Sequence, residues 1–111
     1  MTTIYICGVE ETSNKNDGFV DTEKIIVKLK AMKCKVINPM EMAFADMSWS
    51  DTLNNRIEQI KNSHIIYVLP NWRDSIMARI ELTVAMDMQL QTIFHPVSNK
   101  EIKRLITTLD S

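Results

Sequence analysis

The sequence predicts a single α/β domain spanning residues 1–111, in which a parallel sheet of about four strands is covered by helices on both faces. Three observations carry this expectation. Short apolar runs alternate with amphipathic stretches along the whole chain. The run His64–Leu69 (HIIYVL) is nearly continuously apolar, as a strand buried on both faces must be. The strand runs end in turn formers, at Gly8, Asn38-Pro39, Pro70 and Pro96. A strand followed by a helix, four times over, implies right-handed crossovers, and the expected strand order is 2-1-3-4, with or without an added edge element.

Thr3–Cys7 (TIYIC) is β-branched and aromatic and meets Gly8 at once, which suits a first strand ending in a tight turn. Val9–Gly18 is polar and without apolar period, a loop at the carboxyl edge of the sheet, where open α/β folds bind ligands; its Glu10, Glu11, Asn14 and Asn16 read as solvated loop. Phe19–Met32 sets Phe19, Ile25, Ile26, Leu29 and Met32 among lysines, an amphipathic helix capped by Asp21 or Thr22. Cys34–Ile37 is the second strand, closed by Asn38-Pro39 because a residue before proline is driven out of the helical region.

Met40–Trp49 (MEMAFADMSW) holds three methionines, a Phe and a Trp. That composition suits an adaptable surface for a flat ligand or another subunit, or equally a cap on one edge of the core. Ser50 or Asp51 caps a helix to Asn62 with Leu53, Ile57 and Ile60 facing inward. After the central strand, Asn71–Ser75 forms a loop whose last two members, Asp74 and Ser75, are helix caps, and a helix runs from there to about Gln89. Gln91–His95 is a fourth strand ended by Pro96. Ser98 caps a final helix through Leu109, with Ile102, Leu105, Ile106 and Leu109 on one side and Lys100, Lys103 and Arg104 off it.

The 13 basic and 14 acidic residues leave a formal charge of −1, and no Lys/Arg cluster is dense enough for a nucleic-acid track. No apolar run approaches membrane-helix length and no leader-like segment opens the chain, so a cytoplasmic protein without a membrane partner is expected. Cys7 and Cys34 fall at opposite edges of neighbouring strands, too far apart to bridge, and are expected as reduced thiols. Two cysteines and two histidines, scattered singly, form no metal-ligand pattern, and no metal or cofactor is expected.

One residue stands against its local pattern. On a helix stepping 100° per residue, Glu81 has Met77, Ala78, Val84, Ala85 and Met88 as its near neighbours, all apolar, while Arg79 and Thr83 fall on the opposite face. A carboxylate aimed inward is costly unless it is paired, hydrogen-bonded or facing a wet pocket, so Glu81 is either a group that escapes at the end of the sheet or pairs with one Arg, or a functional acid. Asp74 lies on the same side, roughly 10 Å up the helix axis. The alternation also gathers Gly8, Asn38, Met40, Trp49, Asn71, Trp72, Asp74 and Ser75 at the carboxyl edge, where the start of the Glu81 helix offers free N–H groups to an anion. The glycine-rich dinucleotide and P-loop signatures are missing, and no Ser or Cys stands in a nucleophile context.

The pieces Tyr5-Ile6-x-Gly8, Asn38-Pro39, Trp49 and Tyr67-x-Leu69-Pro70-x-Trp72-x-x-Ser75-x-x-Ala78-Arg79-x-Glu81 resemble a family of small phage and bacterial domains of unassigned function. That family is in turn similar to the nucleoside 2-deoxyribosyltransferases. The resemblance implies a three-layer Rossmann-like (flavodoxin-like) fold and an N-glycosidic bond hydrolase or deoxyribosyltransferase. It makes Glu81 the nucleophile; Asp74, on the same stripe, is then the candidate assisting acid, and Gly8, Asn38, Trp49, Trp72 and Ser75, at the carboxyl edge, are the candidate binding residues for a nucleoside or nucleotide. It also implies a homodimer or higher homo-oligomer. The alternative is a non-catalytic nucleotide-binding or interaction domain on the same scaffold. Where relatives show a small residue at Cys7, a Pro at Val9 and a Gly at Asn71 and at Met77, this chain adds bulk at the ligand edge.

Overall fold

A computed structural model describes residues 1–8, 22–39 and 47–110. The loop expected over Val9–Gly18, the residues Phe19 and Asp21, and Met40–Asp46 of the methionine-rich segment lie outside the described residues.

Four strands, β1 (Thr3–Cys7), β2 (Lys35–Ile37), β3 (Ile65–Val68) and β4 (Gln91–Phe94), alternate with four helices, α1 (Thr22–Lys30), α2 (Trp49–Lys61), α3 (Ile76–Asp87) and α4 (Asn99–Asp110). All strand pairs are parallel, in the order β2-β1-β3-β4, the expected three-layer Rossmann-like arrangement. The central strands β1 and β3 are buried at every position, which is why their sequences lack polar alternation.

Successive side chains of a strand face opposite sides. Ile4 and Ile6 join Tyr67, Ile65 and Leu69 in a core under Ile25, Ile26 and Leu29 of α1 and Ile102 and Ile106 of α4. Tyr5 and Cys7 turn the other way, with Ile66 and Val68, into a core under Ile60 of α2 and Ala78, Leu82 and Ala85 of α3. Cys7 and Cys34 are buried in separate cores as free thiols.

Helix boundaries differ from expectation where capping chemistry decides them. α2 begins at Trp49, because the Ser48 hydroxyl, rather than Ser50 or Asp51, accepts from the backbone N of Asp51 at 3.0 Å. α3 begins after Ser75, whose Oγ accepts from Ala78 N at 3.1 Å, so the cap is Ser75 and not Asp74. It ends at Asp87, since Gln89 has φ 62°, a left-handed conformation that a right-handed helix cannot continue. Among the described residues no helix is long and apolar enough to cross a membrane.

Candidate functional site

Helix α3 leaves the carboxyl end of β3 and runs back across the sheet face that carries Tyr5 and Cys7. It thereby lays Glu81 over the middle of β1, and Glu81 is only 1 % exposed. Its carboxylate meets groups from β1 and α2. The Tyr5 hydroxyl donates to Oε2. From the neighbouring helix, Arg56 brings Nη1 to 3.5 Å from Oε1, and Arg56 is itself buried, at 8 % exposure. A buried acid is thus held between a phenol from the sheet and a guanidinium from α2.

This arrangement controls protonation nearby. Burial first, and then the adjacent Glu81 carboxylate, push the Tyr5 hydroxyl far above the ordinary phenol value, so Tyr5 keeps its proton and can only donate to Glu81. The same two causes raise the Cys7 thiol well above its usual value, with Arg56 working in the opposite direction. Cys7 therefore stays a thiol, and its Sγ donates to the carbonyl of Ala78 at 3.4 Å. Because Cys7 lies two residues beyond Tyr5 along β1 and Ala78 lies one turn before Glu81, this contact stands on the carboxyl-edge side of the acid.

The other expected site residues are spread along the carboxyl edge rather than gathered on Glu81. Gly8 closes β1 with φ 97°, a conformation that favours glycine, and a Cβ there would meet Leu69 Cβ at 3.4 Å and Asn71 Oδ1 at 3.6 Å. Asn38 is buried beyond the end of β2. Trp72, in a 3-10 turn (Trp72–Asp74) after β3, packs its ring on Phe94 of β4 at 6.2 Å between centroids, with the Arg73 guanidinium 5.2 Å from its ring centre. Trp72 thus leans to the β4 side, while Asn38 sits at β2, roughly 10 Å or two strand spacings from β3. Asp74 is exposed in the 3-10 turn while Glu81 is in the core, and Trp49 is 54 % exposed at the start of α2. Ser75 has a structural duty as the cap of α3.

Sequence reasoning allowed Glu81 an Arg partner without placing it at Arg56, and it did not find Tyr5. Tyr5 carried a signal, since a phenol in the middle of a strand buried on both faces must find a partner for its hydroxyl. Arg56 carried another: with Leu53 and Ile60 it lies on the inward stripe of α2, three and four residues away, and is the charged member of that stripe. Among the described residues, no three His, Cys, Asp or Glu side chains come together as a metal site.

Residues 2–94 match the model of a family described as a domain of unknown function, DUF4406. The search of curated proteins returned no match to the chain.

Proposed function

The chain belongs to the DUF4406 family, and within that family we propose that it cleaves the N-glycosidic bond of a nucleoside or nucleotide with Glu81 as nucleophile. The observation that supports this reading is a carboxylate buried among apolar side chains yet provided with a cationic partner and a neutral donor. Such a group is held ready to react as an anion.

In the reaction one Glu81 oxygen attacks C1′ of the sugar through an oxocarbenium-like transition state. The C1′–N bond breaks, and its electron pair leaves on the base, which takes a proton from solvent or from Asp74. Water then attacks C1′ of the glycosyl ester, its proton passes to solvent, and the C1′–O pair returns to the carboxylate. A second base in place of water makes the same cycle a transferase. Trp72 and Trp49 offer stacking faces for the base, and the N-terminal turn of α3 offers backbone N–H groups to a 5′-phosphate.

The experiment is chromatographic. The purified protein and Glu81→Ala are incubated with nucleosides, deoxynucleosides and their 5′-monophosphates, and released base is measured. Release by the parent and none by the variant is expected.

A second reading has a specific observation in its favour. Glu81 is almost without solvent contact, and the Cys7–Ala78 contact stands toward the edge from which substrate would come. On this reading the domain binds a nucleotide at the carboxyl edge without chemistry, and Glu81 only ties α2, α3 and β1 together. Nucleotide binding by calorimetry that survives Glu81→Gln, with no base released by either protein, would select it.

A further inference from the structure

Three elements that are far apart in sequence meet at one carboxylate: β1 through Tyr5, α2 through Arg56 and α3 through Glu81. The two partners differ in kind. Tyr5 supplies a neutral donor to one oxygen, and Arg56 supplies charge near the other. On this face of the sheet Cys7 of β1, Ile66 and Val68 of β3, and Ala78, Leu82 and Ala85 of α3 form an apolar core, and into it Arg56 brings a positive charge beside the Glu81 carboxylate. Without a cation, burial alone would drive this acid toward its protonated form, which is not a nucleophile.

We propose that Arg56 is a positioning residue for Glu81, holding it ionised and turned so that one oxygen faces Arg56 while the other stays on Tyr5. The catalytic half of this inference rests on the reading of Glu81 as a nucleophile. When Glu81 becomes a glycosyl ester its negative charge is gone, and the Arg56 cation is left opposite a neutral group. That favours the second step, in which the C1′–O bond breaks and the electron pair restores the carboxylate. Arg56 therefore aids the return of the free acid, and its loss lets the ester persist.

The test follows Glu81 directly, by the carboxyl carbon-13 resonance of protein labelled at glutamate, through a pH titration of the parent, Arg56→Met and Arg56→Lys. Glu81→Gln assigns the signal. In the parent, Glu81 is expected ionised down to or below the ordinary Glu range. Arg56→Met is expected to raise the midpoint by roughly one to three pH units, the effect of an opposite charge at this range, and Arg56→Lys to restore most of it. An unchanged midpoint in Arg56→Met overturns the proposal. Should Arg56→Met fail to fold, the parent titration decides, since a Glu81 that protonates well above the ordinary range also overturns it. The catalytic half is read by intact mass after incubation with 2′-deoxynucleosides: a sugar adduct that accumulates in Arg56→Met beyond the parent supports it, and an equal or smaller adduct overturns it. Absence of base release from every nucleoside overturns the nucleophile reading and the catalytic half together, while the titration decides the positioning half by itself.

Discussion

The hydroxyl of Tyr5 donates to Oε2 of Glu81, 76 residues further along the chain, and both side chains are buried. A strand in the centre of the sheet is thereby tied to the middle of α3 by a polar contact inside an apolar core. Tyr5→Phe keeps the ring and its packing but removes the donor from a buried acid. It is expected to lower stability by roughly 1–3 kcal/mol, the cost of stranding a buried polar group. Urea denaturation followed by far-UV circular dichroism measures it. A loss below experimental error would mean that water reaches Glu81 in place of the phenol.

Arg56 and Glu81 extend that tie to α2. Removing one member of a buried ion pair strands the other, at about 3–5 kcal/mol, whereas replacing both by apolar side chains is far less damaging. Arg56→Met and Glu81→Met are each expected to destabilise strongly, and the double variant to recover much of the sum. Denaturant midpoints of the four proteins form a double-mutant cycle. Additive losses would show that the two groups do not act as a pair.

How much of this was legible in the sequence depends on the range of the signal. The parallel sheet and its strand order follow from the alternation of strands and helices along the chain, and the inward placement of Glu81 from the periodicity of a single helix, and the structure agrees with all three. The Arg56 contact does not, because it depends on how α2 and α3 lie against each other, a packing relation that no single helix encodes. Leu53, Ile57 and Ile60 were expected to face inward from α2; Ile60 is buried, Leu53 and Ile57 are half-buried, and Arg56 takes the deeper place because an inward acid on α3 gives it a partner. Among the expected site residues, the loop positions were the least legible. Asp74 and Ser75 are both good caps by composition, and only the hydrogen-bond geometry separates them.

That separation is measurable. Ser75→Ala removes the acceptor for Ala78 N and is expected to cost about 1 kcal/mol, as for other N-cap losses. Asp74→Ala changes an exposed side chain in the 3-10 turn and is expected to stay within about 0.5 kcal/mol. Thermal melts of the two variants against the parent decide it, and a larger loss at Asp74 than at Ser75 would refute the cap assignment.

On the other sheet face, Tyr67 Oη lies 2.6 Å from Nδ1 of His95. Burial raises the Tyr67 hydroxyl above its ordinary value, so it keeps its proton and donates; burial and then Lys28 lower His95, which keeps Nδ1 free to accept. A base whose pKa is lower in the folded state than in the unfolded chain binds more protons when unfolded. Its contribution is therefore full above the ordinary His value near pH 6.5 and is lost as the pH falls through the folded value. His95→Gln is expected to flatten the decline of the urea midpoint between about pH 7 and pH 5. Parallel curves for parent and variant would remove His95 from that decline.

The last prediction concerns Gly8, where β1 turns at the carboxyl edge. Its φ of 97° lies where side-chain-bearing residues are rarely found, and the space beside it is already close to Leu69 and Asn71. An added methyl would be in ordinary contact with both, at 3.4 Å from Leu69 Cβ and 3.6 Å from Asn71 Oδ1, so crowding is the smaller effect and backbone strain the larger. Gly8→Ala is expected to cost of order 1–3 kcal/mol, the range for a residue held in a sparsely populated conformation. Asn71→Ala, which removes the nearer polar neighbour, should not rescue it. If it did, crowding and not φ would be the source of the loss, and the requirement for glycine at this turn would be one of space. Denaturant midpoints of Gly8→Ala, Asn71→Ala and the double variant separate the two causes.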